Sequence, residues 1–340
     1  MPEPSHLQAP GDLRGLVESF ERAARAAGGA IDLDFRVAWR HLRVRLAGPA
    51  LRGSIVSALS HLAIERPDSA PDLEAMVWDS RSTGIGLPGP ADTTRAGVAS
   101  TVWQPGVRIL TVIDASRGRG VVWLPDAGAV PFNEAAAPLR VFLHLALQPA
   151  GLQLVHGAAV GRPDGGVLLV GRSGAGKSST ALACLGTTLG VAGDDYVFVT
   201  INGLPWVHSV YCSAKLNADQ LHRFPALAQS VVNRGVSDDK PVMFLHPRWR
   251  DSIARDFPLR AAVAPRVVGD GPTTAVRVRG AALLAAIAPS TIFQLPGTGR
   301  RTLEALAALL SRLPCYELQL GASLADVPAA VEHVIEDAGR

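Results

Sequence analysis

Eight consecutive residues, Gly171-Arg172-Ser173-Gly174-Ala175-Gly176-Lys177-Ser178, constrain this chain more than any other stretch. They follow the pattern of Gly, four residues, Gly, Lys, then Ser or Thr. Glycines let the backbone curl so that successive N–H groups point inward, forming a nest for phosphate oxygens. Lys177 is placed to reach β- and γ-phosphates and the Ser178 hydroxyl to bind Mg²⁺. The flanks suit the loop. Gly166-Val167-Leu168-Leu169-Val170 is a continuous apolar run, as a buried parallel strand reads. Residues 179–185 put Ala181, Leu182 and Leu185 on one side of a helix that opens near Gly176 and adds the positive end of its dipole. The expectation is a nucleotide site in which Gly171, Ser173, Gly174, Ala175, Gly176, Lys177, Ser178 and Ser179 surround the phosphates.

The second informative feature is Asp194-Asp195, inside the apolar segment 190–199. Adjacent carboxylates are costly to bury unless they meet a cation or perform chemistry. Beside a phosphate loop, one can hold Mg²⁺ and the other can accept the proton of an attacking hydroxyl. The acids are expected at a bend or end of the strand, with residues 204–210 pairing back through Asn202-Gly203. His156, followed by Gly157 on a strand expected over 152–160, is by itself most simply a satisfied core histidine. The chain has three lysines, Lys177, Lys215 and Lys240, and every other member of its 33 Lys and Arg is Arg. In that background a lysine marks a place where a compact ammonium serves and a planar guanidinium does not. Lys177 fits that idea. Lys215 and Lys240 are candidate phosphate or substrate contacts, with a solvated surface lysine as the plain alternative. Arg266 and Arg300 are further candidates for transition-state charge.

At 340 residues the chain has room for two domains. Hydrophobic residues make up 48% and charged residues 19%, which excludes disorder, and no apolar run approaches the roughly 20 residues of a membrane span. The start, Met1-Pro2-Glu3-Pro4, does not read as a signal segment, and Cys184, Cys212 and Cys315 are too few and scattered for a disulfide framework or cysteine metal site. A cytoplasmic location is expected. The net charge of +3 comes without a basic run, so neither nucleic acid nor membrane is an expected partner; homo-oligomer formation is left open. Three segments are expected: a helix within residues 1–30, an α+β domain over 31–133 and an α/β domain over 134–340. In the first two, helices are expected over 10–27 and 49–64, strands over 42–46 and 73–78, a hairpin of 107–113 with 120–124, and a loop over 81–98. Residues 134–147 read as one helix leading into the last domain. Later strands are expected near 243–246 and 275–278, and helices over 281–288, 301–313 and 326–337.

The His156-Gly157 strand, the loop Gly171 to Ser178 with its Ser173, and the Asp194-Asp195 strand resemble the HPr kinase/phosphatase superfamily in order and spacing. The resemblance is sharp over 156–196 and loose over the rest of the C-terminal half. It implies an α/β P-loop kinase core of the HPr kinase and phosphoenolpyruvate carboxykinase type, here behind a smaller α+β domain. It also implies ATP with Mg²⁺ as cofactors, transfer of the γ-phosphoryl group to a serine or threonine hydroxyl, and site roles for His156, Asp194 and Asp195. Asp194 and Ser178 would serve the metal, Asp195 the acceptor proton, and His156 would orient them. This chain carries Ser179 where HPr kinases carry an acidic residue, and Gly235-Val236-Ser237-Asp238-Asp239-Lys240-Pro241 where they carry a Gly-rich signature loop. Neither phosphatase activity nor HPr as substrate is therefore expected. Val77-Trp78-Asp79-Ser80, Asp238-Asp239-Lys240 and Leu313-Pro314-Cys315-Tyr316-Glu317-Leu318 resemble the HPr-kinase-related enzymes of peptide natural-product clusters, including lasso peptide kinases. That points to a peptide acceptor. Two other readings share the phosphate loop: a nucleotide-binding regulator or assembly ATPase, and a kinase of a small hydroxyl metabolite.

Overall fold

Alternation along residues 40–47 sets the character of the first part of the chain: Leu42, Val44 and Leu46 are fully buried, while Arg43 and Arg45 lie opposite Asp34 and Asp32 on the neighbouring strand. Opposite charges directly across an antiparallel pair fix its register. The computed structural model of the protein describes residues 13–87, 99–236, 240–295 and 299–340. It is a mixed α/β structure that divides into two compact units.

The first unit takes in Met1–Val56, Ala63–Pro131 and Pro138–Ala150. Its helix α1, Leu13–Ala26, buries Leu16, Phe20, Ala23 and Ala24 and ends at Gly29, whose N–H donates to the Ala24 carbonyl at 2.8 Å. Strands β1 (Ala30–Val37), β2 (Arg40–Ala47), β3 (Leu73–Asp79), β4 (Ser100–Gln104), β5 (Ile109–Asp114) and β6 (Arg119–Leu124) form a six-stranded sheet in the order β1-β2-β3-β6-β5-β4. The hairpin expected between 107–113 and 120–124 is β5 with β6. β1, absent from the expected strands, alternates apolar and charged residues from Ile31 to Val37, whereas β4 carries no clean alternation and escapes a reading by periodicity. α2 (Arg52–Leu59) is shorter than the helix expected over 49–64, and its last turn tightens into a 3₁₀ turn at Ser60–Leu62. A short helix α3 (Ser80–Thr83) overlaps the start of the segment expected as a loop, of which residues 88–98 are outside the described residues.

The helix expected over 134–147 is two helices, α4 (Phe132–Ala135) and α5 (Arg140–Leu147). Pro138 has no N–H with which to continue the first, and Leu139 turns the chain with φ 57°. Residues Phe132–Ala137, with Ser57–Leu62, belong to the second unit, which otherwise runs over Gly151–Arg340.

In that unit the strand expected over 152–160 is split at Gly157 into β7 (Leu152–His156) and β8 (Ala158–Arg162). After β9 (Gly165–Leu169) and α6 (Lys177–Ala183), the segment 190–200 is likewise split into β10 (Gly190–Gly193) and β11 (Tyr196–Thr200), with the two aspartates at the bend. The bends face each other. β10 pairs with β8 and β11 with β7, His156 opposite Tyr196, and the Gly157 N–H donates to the Asp195 carbonyl at 3.1 Å. A Cβ at Gly157 would lie 2.8 Å from the Leu169 carbonyl oxygen, so only glycine fits this crossing.

β12 (Trp206–Ser209) returns against β11 through Gly203, as expected, and β13 (Ser213–Lys215) pairs with β14 (Val242–Phe244). A short helix α7 (Pro225–Ala228) lies between β13 and β14. The long β15 (Asp256–Val267) joins the sheet's parts. It pairs antiparallel with β12 at its start and parallel with β9 and then with β17 (Cys315–Leu320), which β16 (Thr274–Val278) flanks. The main path is β10-β8-β9-β15-β12-β11-β7. Successive residues of β9 enter opposite cores. Leu168 and Val170 pack with α8 (Gly280–Gln294) and α9 (Gly299–Leu310), whereas Val167 and Leu169 pack with α6 and α10 (Val327–Ala338). Burial on both faces is why the strand leading to the phosphate loop reads as an unbroken apolar run. No helix among the described residues is long and apolar enough to cross a membrane.

Two buried histidines make stability depend on pH. Burial pushes the His144 ring of α5 down to about 4; burial, with the charges of His246 and Arg255, pushes His61 down to about 3. Above the ordinary value of 6.5 both rings are neutral, folded or unfolded. Below it the unfolded chain takes up protons that the folded chain refuses, so stability present at neutral pH is lost as pH falls. At pH 5 the loss should be about 2 kcal/mol for each histidine relative to pH 7.5. Urea unfolding at the two pH values checks this; coincident midpoints would contradict it.

Candidate functional site

The phosphate-loop sequence leaves β9, whose ladder to β15 runs one residue further through Val170 N–H to the Val263 carbonyl at 2.8 Å. The loop turns with positive φ at Gly171 (146°), Gly174 (82°) and Gly176 (105°). Gly176 caps α6, and a Cβ there would lie 2.5 Å from Leu320 Cδ1. Glycine at this place is thus demanded by the backbone angle, and a side chain there would also have to displace Leu320. Lys177, the first residue of α6, is buried and its ammonium donates to the carbonyls of Gly171 (2.7 Å) and Arg172 (3.2 Å). Burial pushes its pKa down while the charges of Asp194 and Asp195 hold it up.

A cavity of about 380 Å³ opens beside the loop. Its wall contains Ser173, Gly174, Gly176, Lys177, Ser178 and Ser179 from the loop and helix, both aspartates, His156, Lys215 and Lys240. Gly171 and Ala175 belong to the loop but not to that wall. All three lysines of the chain therefore meet in one place.

The two aspartates differ sharply. Asp194 is 2% exposed; its Oδ2 accepts from the Lys215 backbone N–H at 2.8 Å, and its Oδ1 has no hydrogen-bond partner among the described residues. Burial raises its pKa to about 6, against the Lys215 N–H, with the charge of Asp195 raising it further and Ser178 and Lys177 opposing. Asp195 instead has a lysine ammonium and an imidazole ring as neighbours. Its Oδ2 accepts from Lys215 Nζ at 2.7 Å and its Oδ1 lies 3.2 Å from His156 Nε2. Burial would raise its pKa, but the His156 and Lys215 bonds and charges outweigh burial and hold the carboxyl well below the usual range.

His156 is fixed from behind. The amide nitrogen of Gln294, at the end of α8, lies 3.4 Å from its Nδ1, and the Gln294 amide oxygen accepts from the Tyr196 hydroxyl. The Gln294 N–H donating to Nδ1 leaves the ring proton on Nε2, directed at Asp195. Lys215 is set by β13 and also reaches the Asn133 carbonyl at 3.5 Å. Lys240 is exposed, with Nζ 3.3 Å from Ser173 Oγ; its neighbours Asp238 and Asp239 lie outside the described residues.

Arg266 and Arg300 are not in the cavity wall: Arg266 faces Glu317 at 3.4 Å and Arg300 pairs with Glu304 at 2.9 Å on the exposed face of α9. The arginine that does line the cavity is Arg223, in a 3₁₀ turn over Ala218–Arg223. Sequence reasoning missed it, along with Asn217 and Gln220, because these residues stand in a polar segment without periodicity, and missed Gln294 because it ends an apolar helix that carries no sign of a site. Among the described residues no group of three or more His, Cys, Asp or Glu is placed to hold a metal ion. Ser178 and the unpartnered Asp194 Oδ1 nonetheless fit Mg²⁺, which usually takes one or two protein ligands and fills its shell with waters and phosphate oxygens.

No protein-family model matches the chain, and no curated protein matches it. Among solved structures, it is similar to the HPr(Ser) kinase/phosphatase from Coxiella burnetii over 54% of this chain and 95% of that one, at 11% identity and a TM-score of 0.30. A likeness at that score carries no argument about the reaction.

The ion pair itself is open to test. Replacing Lys215 by Met leaves the Asp195 carboxylate with His156 alone, so its pKa should rise and stability should fall by about 3 kcal/mol. Carbon-13 NMR titration of the aspartates and thermal unfolding read the two effects. The double variant with Asp195→Asn should recover part of the loss; strictly additive losses would show that the two groups do not interact.

Proposed function

We propose that the protein is an ATP-dependent kinase that transfers the γ-phosphoryl group to a serine or threonine hydroxyl of a peptide or protein. The observation that carries this reading is the placement of Asp195, an ionised carboxylate held between Lys215 and His156, on the wall of the cavity that the phosphate loop opens into. A loop that only binds a nucleotide has no need of a carboxylate oriented by two donor side chains.

In this reading the loop N–H groups and Lys177 hold the β- and γ-phosphates, and Lys240, in contact with Ser173, adds positive charge. Ser178 and Asp194 hold Mg²⁺, which neutralises charge on the phosphates when bound. Asp195 accepts a hydrogen bond from the acceptor hydroxyl and takes its proton as the bond to phosphorus forms. Its low pKa suits late proton transfer, since phosphoryl transfer proceeds through a loose transition state in which the nucleophile bears little new charge until the end. Lys215 and His156 keep that carboxylate aimed. Most of the rate enhancement comes from positioning and charge. A ribosomal natural-product precursor, of the kind that lasso peptide kinases modify, is the acceptor class that the sequence resemblance suggests.

Intact-mass analysis after incubation with ATP, Mg²⁺ and a panel of serine-containing peptides tests the proposal. One phosphoryl group should appear on a peptide, and Asp195→Asn should slow its transfer by about 1000-fold while ATP still binds. If ATP is hydrolysed equally by both proteins and no acceptor gains mass, the regulatory ATPase is the better reading.

A further inference from the structure

The cavity has two chemically different ends. One holds the reacting groups already described. The other begins where Gly176 meets Leu320 and continues over Leu324, Val327 and Val267, aliphatic side chains without a hydrogen-bonding group. Leu320 and Val327 are anchored in the core shared with α6, and Leu324 packs against the same core. Arg223 lines the same part of the cavity. Its Nη1 donates to Gln220 Oε1 at 3.3 Å and its Nη2 to the Ala322 carbonyl at 3.0 Å. The guanidinium therefore reaches from its own 3₁₀ turn to the backbone of the turn that carries Leu324. Gln220, which holds one side of it, also donates to Asp219 Oδ2 at 3.1 Å.

A flat heteroaromatic ring is what such a slot accepts. Aliphatic side chains supply apolar contact on one face, and a planar guanidinium is attracted to the face of a π system on the other. Asp195, Lys215 and His156 of the opposite end are engaged with one another and offer no apolar surface. We infer that the purine base of the nucleotide lies against the Leu320–Leu324 wall and the Arg223 guanidinium, the triphosphate running from there along Gly176 to Lys177. This rests on the reading of the loop as a triphosphate site. It leaves the end at Asp195 for the acceptor, and makes stacking a source of base affinity.

Calorimetric titration with ATP and with inorganic tripolyphosphate, both with Mg²⁺, separates the base from the phosphates. Arg223→Lys keeps the charge and loses the plane; Leu324→Ser removes the apolar contact without adding charge. Each should weaken ATP about tenfold and change tripolyphosphate less than twofold. Unchanged ATP affinity in Arg223→Lys, which keeps the fold intact, or a parallel weakening of both ligands, would overturn the placement of the base. Failure of the wild-type protein to bind either ligand would defeat the triphosphate reading itself, a different result from binding both with variants that make no distinction.

Discussion

Asp195 keeps its charge although it is largely withdrawn from water, and much of the second unit is arranged so that it can. An unpaired carboxylate in that position would take up a proton or unfold its surroundings. Lys215 meets one oxygen and His156 the other. Each partner is placed by a separate strand, and His156 is turned by a hydrogen-bond chain from Tyr196 through Gln294. Asp194, one residue away, has a backbone N–H on one oxygen and nothing described on the other, and burial lifts its pKa toward 6. Two neighbouring carboxylates thus hold opposite characters, which is how a site divides work between similar groups.

The backbone crossing beneath them makes this division geometrically feasible. Gly157 and Asp195 face each other where two strands bend together, and the missing Cβ at Gly157 lets the Leu169 carbonyl pass close by. Leu169 is the last residue of the strand before the phosphate loop. One tight contact therefore ties the height of the loop to that of the acidic bend. The alternating burial of β9 between two helical layers keeps that strand from shifting, since a slip of one residue would turn Leu168 and Leu169 to the wrong cores.

The phosphate loop and the acidic bend were legible because their residue types encode backbone conformation and cost: glycines at positive φ, and acids in an apolar segment. Lysine scarcity was legible too, and the cavity gathers Lys177, Lys215 and Lys240 together. β15 was not, because Pro258, Arg260, Pro265 and Arg266 interrupt its apolar run. The parallel strand expected before the loop is parallel to β15 but antiparallel to β8, a mixture that composition does not reveal. The helix expected over 134–147 failed at Pro138, where local periodicity continues across a backbone that turns. Arg223 and Gln294 enter the site from distant segments, so tertiary packing alone assigns them.

The central claim is the proposed division of labour within the acidic pair, with Asp194 serving the metal and Asp195 the acceptor. The Mg²⁺ dependence of ATP affinity, measured by calorimetry in wild type, Asp194→Asn and Asp195→Asn, tests it most directly. The account predicts that Mg²⁺ tightens ATP binding in the wild type and in Asp195→Asn but has little effect in Asp194→Asn. Loss of the Mg²⁺ effect in Asp195→Asn with its retention in Asp194→Asn would contradict it.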